Sequence, residues 1–232
     1  MIILGIDPGL ATLGYGVIEK DARGNCRAVD FGVVVTPKDE GLPVRLAMLE
    51  EGINRILAKF DPDEIAMEEL FFSKNITTGI AVAHARGVAL LTCVKHCGKL
   101  YEYTPMQIKQ ALTGYGKADK KQMQSVVTSL LKLKTVPKPD DAADALAIAL
   151  CHAFTSRFGE LFAVGNMTRT KGKNGGGEGV ALIAEAERRR ALRIKQAAQK
   201  NKTTGAGMRR NSLFCGVCCC FSCCFSSIKL RK

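Results

Sequence analysis

The first apolar run of the chain, residues 2–6, leads directly to Asp7 and is followed by the turn residues Pro8 and Gly9. A short apolar run bounded by turn residues predicts a buried strand. Asp7 would then lie at the end of a central strand, where a carboxylate is unfavourable unless a cation or hydrogen bonds stabilise it. The simpler interpretation is that Asp7 caps the following turn, and this segment alone does not decide between the two.

The pattern of the next 150 residues predicts an α/β fold. Segments rich in β-branched residues predict strands at residues 12–19 and 26–36, which with the first strand form an antiparallel meander. Further on, helical periodicity alternates with short apolar runs. These patterns predict helices at residues 43–60, 77–96, 105–112, 118–133 and 141–154, and strands at residues 64–71 and 100–103. The order β-β-β-α-β-α-β-α-α-α predicts a mixed five-stranded sheet flanked by helices.

Three further acids are placed where they would meet Asp7. Glu68 lies at the end of the fourth predicted strand, and Asp141 and Asp144 lie three residues apart, so they share one face of the last helix. Active sites in such sheets lie at the carboxyl ends of strands and on adjoining helix faces. The alternative is that Asp140, Asp141 and Asp144 only cap this helix and neutralise its dipole. One aspartate would be enough for that role.

Oxygen ligands without a histidine or cysteine cluster suit Mg²⁺ or Mn²⁺ rather than zinc. Two such ions about 3.5–4 Å apart would activate water and stabilise the leaving oxygen during phosphodiester hydrolysis. The sequence therefore favours a metal-dependent nuclease that needs no protein nucleophile.

Charge divides the chain into two parts. Residues 1–152 contain 18 basic and 18 acidic residues, whereas residues 153–232 contain the remaining 16 basic and 4 acidic ones. We therefore predict a neutral nuclease domain at residues 1–155 and a basic, Gly- and Cys-rich tail at residues 156–232 that is largely disordered. In the tail, a basic helix at residues 178–200 that holds DNA non-specifically is the alternative to a disordered charged segment.

The cysteines divide in the same way. Four are scattered through the first part, and six are crowded between Cys215 and Cys224. Scattered cysteines in apolar surroundings indicate a reducing compartment, so we expect a cytoplasmic protein. No apolar run is long enough for a transmembrane helix, and we expect no membrane association. The CxxC spacings of the tail are compatible with a zinc knuckle, although one residue between the pairs is unusually short.

Five segments recur in a characteristic order. They are Ile6-Asp7-Pro8-Gly9, Gly14-Tyr15-Gly16, Ala66-Met67-Glu68-Glu69-Leu70-Phe71 with Lys74-Asn75, Ala85-Arg86-Gly87-Val88-Ala89, and Asp141-Ala142-Ala143-Asp144-Ala145-Leu146-Ala147. In this order they resemble the RuvC family of crossover junction endodeoxyribonucleases, the Holliday-junction resolvases. The resemblance covers roughly residues 1–155 and stops before the tail.

The resemblance implies an RNase H-like fold and an enzyme of DNA recombination and repair. It implies that Asp7, Glu68, Asp141 and Asp144 are the catalytic ligands of two Mg²⁺ ions, for which Mn²⁺ can substitute. It further implies a homodimer that makes paired symmetric nicks in a four-way DNA junction and works with the RuvA–RuvB branch-migration complex.

The resemblance also favours three DNA-binding residues. Lys109 and Lys120 would contact the DNA backbone, and Phe71 would stack on an unpaired base at the junction. The alternatives are that the two lysines belong to a solvent-exposed charged cluster and that Phe71 packs in the core.

Departures from the family pattern are Leu13, in place of a small polar residue, and the extra acids Glu69 and Asp140. We expect Leu13 to remove one hydrogen bond near the substrate, and the extra acids to raise the local negative potential.

Other functions are compatible with parts of the pattern. An RNase H-like nuclease acting on RNA–DNA hybrid would use the same metal ligands. An ATP-binding phosphotransferase of the actin-like fold shares the Gly-Ile-Asp-Pro-Gly phosphate loop, but it needs a second domain and leaves the Asp-x-x-Asp helix unexplained. An inert DNA-binding module would not need the complete set of acids.

Overall fold

The computed structural model describes residues 1–69, 76–97, 100–155 and 230–231. The elements follow the predicted order. They are β1 (Ile2–Asp7), β2 (Thr12–Lys20), β3 (Cys26–Val35), α1 (Leu42–Phe60), β4 (Glu64–Glu68), α2 (Ile76–Cys97), β5 (Leu100–Tyr103), α3 (Pro105–Thr113), α4 (Lys120–Leu130), α5 (Asp140–Thr155) and β6 (Leu230–Arg231). Predictions about residues 156–229, including the basic helix and the zinc knuckle, lie outside the described residues.

The strands form one mixed sheet in the order β5-β4-β1-β2-β3-β6. Strands β1, β2 and β3 pair antiparallel as the predicted meander, and β4 and β5 continue the sheet parallel to β1. The predicted five-stranded sheet is therefore confirmed for residues 1–155. The two residues of β6 add a short antiparallel pairing at the outer edge of β3.

Helices cover both faces of the sheet because alternate residues of the strands are apolar on each side. On one face, α1 and α2 enclose a core with Leu4, Ile6 and Leu13. On the other face, α5 packs with α3 and α4 over residues such as Ile3 and Ile18. None of the helices in the described ranges is both long enough and apolar enough to span a membrane.

Glycines let α5 lie directly on the strands. A Cβ atom at Gly5 would be 2.1 Å from the carbonyl oxygen of Ala145, and one at Gly14 would be 2.1 Å from that of Asp141. Both separations are far shorter than a van der Waals contact, so the observed helix position requires glycine at these points. The spacing of the Gly-x-Gly segment in β2 thus fixes where the first turn of α5 lies.

Two elements differ from the predictions by more than one residue at an end, and the others by at most one. Strand β4 ends at Glu68 rather than at residue 71, and α4 spans Lys120–Leu130 rather than residues 118–133. The helix begins later because Asp119 forms a capping box with Gln122, in which each side chain bonds the other residue's backbone N–H. It ends before Lys132, whose φ of 51° is incompatible with a continuing right-handed helix.

Candidate active site

Asp7 and Glu68 come together because their strands are neighbours. Ile6 pairs with Met67 across the parallel strands β1 and β4, so Asp7 and Glu68 occupy the next position on each strand. Both are the last residues of their strands. The prediction that each lies at a strand end is confirmed, and the two ends lie at one edge of the sheet.

Asp141 reaches the same edge through β2. In the antiparallel pair of β1 and β2, Asp7 lies opposite Gly14, and the backbone of Asp141 packs directly on Gly14. Asp144 lies three residues further along α5, on the same helix face. The structure thus brings all four predicted acids to one region, on elements that are fixed by packing.

Electrostatics show that these acids influence one another. Burial, followed by the charges of Glu68, Asp144 and Asp141, raises the pKa of Asp7 from 3.8 to about 7. Burial is also the main cause of the raised pKa of Glu68, to which the charge of Asp144 adds. The pKa of Asp144 is raised by burial too, against the opposing effect of Lys120. Carboxyls with perturbed pKa values, clustered at one edge, are typical of a functional site.

The two lysines predicted to bind DNA lie beside these acids. A cavity of about 290 Å³ opens between α3, α4 and α5, and its polar lining comes from Glu68, Lys109, Lys120 and Asp144. The positive charge of Lys109 lowers the pKa of Glu68, which shows that the two side chains are close. Apolar side chains form the rest of the wall, namely Pro105, Ile108, Met123, Ala147 and Ile148.

Lys120 makes direct contacts with the start of α5. Its Nζ lies 3.1 Å from Oδ2 of Asp140 and 3.6 Å from Oδ2 of Asp144. Hydrogen bonding to Asp140 is the largest influence on Lys120 and raises its pKa. The Asp119 capping box places Lys120 at the first residue of α4, so the ammonium is presented from a fixed helix end.

The donor set suits a hard divalent cation, because it consists of carboxylate oxygens whose repulsion such a cation would offset. In the described ranges, no three acidic, histidine or cysteine side chains converge closely enough to form a ready metal site. The chemistry of Asp7, Glu68, Asp141 and Asp144 fits a metal, and their side chains would have to turn towards it on binding.

The other predictions for site residues have mixed outcomes. Phe71 lies outside the described residues, so its assignment stays a prediction. The expectation for Leu13 is wrong, because its side chain is fully buried in the core against α1 and α2, on the sheet face opposite α5. Glu69 is exposed. Asp140 is the first residue of α5, and its carboxylate bonds Lys120 and Gln124.

The partnership of Asp140 with Lys120 and Gln124 was not predicted from the sequence. Lys120 and Gln124 are separated by one helical turn, as are Asp140 and Asp144, and matched spacings of this kind indicate two helix faces that can pair. The signal is weak, because it does not show that α4 and α5 are neighbours.

The mixed sheet, the helix laid across β1 and β2, and the acids at one sheet edge define the RNase H-like class of α/β proteins. Within this class, the model of the family described as crossover junction endodeoxyribonuclease RuvC matches residues 3–152. The chain therefore belongs to the RuvC family, and the resemblance found in its motifs is confirmed.

Relatives with the name crossover junction endodeoxyribonuclease RuvC match about two thirds or more of the chain. The protein from Alkaliphilus oremlandii is 50% identical over 164 residues, which are 71% of this chain and 99% of that protein. The protein from Clostridioides difficile is 53% identical over 158 residues, which are 68% of this chain and 92% of that protein. Both matches leave roughly 30% of this chain without a counterpart.

Solved structures of the family show the same fold. Thermus thermophilus RuvC is 38% identical, with a TM-score of 0.64, over 70% of this chain and 98% of that one. The T. thermophilus RuvC structure in complex with Holliday junction substrate is 37% identical, with a TM-score of 0.66, over 71% of this chain and 99% of that one.

Proposed function

We propose that this protein is a structure-selective endonuclease that resolves Holliday junctions by paired symmetric nicks during DNA recombination and repair. The observation that carries the proposal is the set of four acids at one sheet edge in a member of the RuvC family. The related protein from T. thermophilus binds Holliday junction substrate, and junction DNA is the substrate we assign to this chain.

The four acids would hold two Mg²⁺ ions, for which Mn²⁺ would substitute. When bound, the ions would activate the attacking water and stabilise the leaving oxygen. Asp7 and Glu68 would hold them from the sheet, and Asp141 and Asp144 from α5. The raised pKa of Asp7 supports this assignment, because a carboxylate that is costly to ionise alone gains most from a cation. Lys109 and Lys120 would hold backbone phosphates at the rim.

The assembly follows from the symmetry of the substrate. A four-way junction has two equivalent cleavage positions, so we propose a homodimer with one site per subunit.

Phe71 would stack on an unpaired base at the crossover. We further propose that the enzyme works with the RuvA–RuvB complex in the cytoplasm. Residues 1–155 would form the nuclease domain and residues 156–232 a tail outside it, and limited proteolysis with mass spectrometry tests that boundary.

The substrate assignment is tested with the full chain on a labelled synthetic four-way junction, a linear duplex of the same sequence and an RNA–DNA hybrid. We expect paired, ligatable nicks in the junction with Mg²⁺ or Mn²⁺, none with EDTA, and no cutting of the controls. Cleavage of the hybrid but not of the junction would contradict the resolvase assignment. Such a result would indicate a nuclease of the RNase H type instead.

A separate measurement tests the dimer. Sedimentation analysis of the protein with a catalytically blocked Asp7→Asn substitution should show two subunits on each junction. The symmetric assembly would be refuted if only one subunit of the variant bound each junction while the wild-type protein still made paired nicks.

A further inference from the structure

Four side chains of α4 and α5 form a cluster beside the acids, and we name Lys120, Gln124, Asp140 and Asp144 the lysine clamp. Lys120 lies between the two aspartates, with Nζ 3.1 Å from Asp140 and 3.6 Å from Asp144. Gln124 donates from Nε2 to Oδ1 of Asp140 at 3.0 Å, while Lys120 contacts the other oxygen, Oδ2. Both oxygens of Asp140 are therefore engaged by residues of α4.

The two aspartates of the clamp differ in their surroundings. The side chain of Asp140 is 57% exposed, whereas that of Asp144 is 40% exposed and lines the cavity that also contains Glu68. Lys120 is closer to the exposed aspartate, and Gln124 fixes the orientation of that carboxylate. The ammonium therefore lies nearer to the more exposed Asp140 than to Asp144, which lines the cavity.

This arrangement matters for metal binding, because Asp144 contacts Lys120 and is also one of the four acids that would hold a metal. Lys120 contacts no acid other than Asp140 and Asp144 among the ion pairs of the described residues. If Asp140 were neutral, the ammonium would have Asp144 as its remaining counter-ion. A lysine that neutralises a carboxylate competes with a metal for it.

We propose that Asp140, oriented by Gln124, is a positioning residue that shares Lys120 with Asp144 and so weakens the contact of the ammonium with Asp144. Asp144 is then more easily bound by the metal, and Lys120 stays at the rim where a DNA phosphate would bind. The inference rests on the proposed function, since it assumes that Asp144 is a metal ligand. In this role Asp140 acts on the position of Lys120, instead of only raising the negative potential of the site.

Metal binding without DNA gives a readout that does not depend on cleavage. The probe is Mn²⁺, titrated into the full-length metal-free protein and followed by the electron paramagnetic resonance signal of the free ion. We expect Asp140→Asn to weaken Mn²⁺ binding about two- to fivefold, the range that corresponds to loss of one exposed ion pair. Circular dichroism melting curves show whether each variant is folded.

Removing the negative charge of Asp140 would by itself weaken metal binding, whether or not Asp140 positions Lys120. Two further variants distinguish these two effects. Gln124→Ala keeps every charge but frees the Asp140 carboxylate, so we expect about twofold weaker binding in the same direction. In the Lys120→Met background, the effect of Asp140→Asn should fall to that of removing an exposed acid outside the clamp, because only the general effect of charge remains when there is no ammonium to position.

Glu69→Gln is the matched control. Glu69 is exposed and adjacent in sequence to Glu68, as Asp140 is to Asp141, but it is not part of the clamp. We expect Glu69→Gln to change Mn²⁺ affinity less than Asp140→Asn, and equally in the wild-type and Lys120→Met backgrounds.

The outcomes distinguish the inference from the proposed function. Suppose that the wild-type protein binds Mn²⁺ but Gln124→Ala leaves the affinity unchanged, or Asp140→Asn in the Lys120→Met background still weakens binding more than Glu69→Gln does. Either result would overturn the clamp and leave the proposed metal site intact. Failure of the wild-type protein to bind Mn²⁺ would overturn both. A weaker affinity in Gln124→Ala, together with an Asp140→Asn effect in Lys120→Met that is no larger than that of Glu69→Gln, establishes the clamp.

Discussion

Replacing Asp7 with asparagine is expected to raise the free energy of unfolding of the metal-free protein at neutral pH. Burial and the neighbouring carboxylates raise the pKa of Asp7 from 3.8 to about 7. Between these values the folded protein holds a proton that the unfolded chain has lost, so the free energy of unfolding falls as the pH rises. Asparagine is neutral at every pH and has nearly the same shape, so it removes this cost.

The magnitude follows from the width of the pH interval. Each pH unit corresponds to about 1.36 kcal/mol, so the interval from 3.8 to about 7 corresponds to a cost on the order of 4 kcal/mol, constant at higher pH. About two of these units lie between pH 5 and pH 7. The advantage of Asp7→Asn over the wild type should therefore grow by about 3 kcal/mol from pH 5 to pH 8.

Urea denaturation followed by circular dichroism, with EDTA and at several pH values between 5 and 8, measures this advantage. The matched control is Glu50→Gln, which removes an exposed charge from α1, and its effect should change little with pH. A difference between Asp7→Asn and the wild type that stays constant from pH 5 to pH 8 would refute the reasoning. It would mean that Asp7 ionises in the folded protein as easily as in the unfolded chain.

Three further predictions concern packing, a buried network and DNA binding. Gly14→Ala should lower the free energy of unfolding by about 1–3 kcal/mol in urea titrations and slow junction cleavage further than that loss explains, because the new Cβ would displace α5. His152→Ala should lower it by about 3 kcal/mol in the same assay, since the buried imidazole bonds the Tyr103 hydroxyl at 2.7 Å and the Glu64 carboxylate at 2.8 Å. Lys109→Ala should weaken junction binding and reduce the slope of log affinity against log salt by about one in fluorescence anisotropy titrations. An unchanged salt slope would exclude a phosphate contact, and unchanged urea midpoints would contradict the first two predictions.

The parts of the site that follow from local patterns were predictable from the sequence. Asp7 and Glu68 each end an apolar run, and an acid in that position lies at a strand end whatever the rest of the fold. Asp141 and Asp144 share a face because of their spacing. The crossing of α5 over Gly14 brings these two pairs together, and the Gly-x-Gly segment gave no indication of which helix it would contact.

Contacts between distant elements could not be predicted in the same way. The pairing of Lys120 with Asp140 depends on how α4 packs against α5, and the local periodicity of the sequence does not indicate this packing. Leu13 illustrates the opposite error, because comparison with a family motif suggested a polar role. Alternation along β2 places its side chain on the other face of the sheet from Gly14, in the core.

The central claim is that the four acids form a metal site that cuts junction DNA, and Glu68→Gln tests it most directly. Binding of a labelled four-way junction in Ca²⁺ and its cleavage in Mg²⁺ should be measured on the same preparations of the variant and the wild type. We expect the variant to bind the junction with an affinity within about threefold of the wild type, because the fold and the lysines are unchanged. We expect its cleavage rate to fall by a factor of at least about 10³, because a metal ligand is lost without a change in shape. Cleavage by Glu68→Gln at a rate close to that of the wild type would contradict the assignment of the active site.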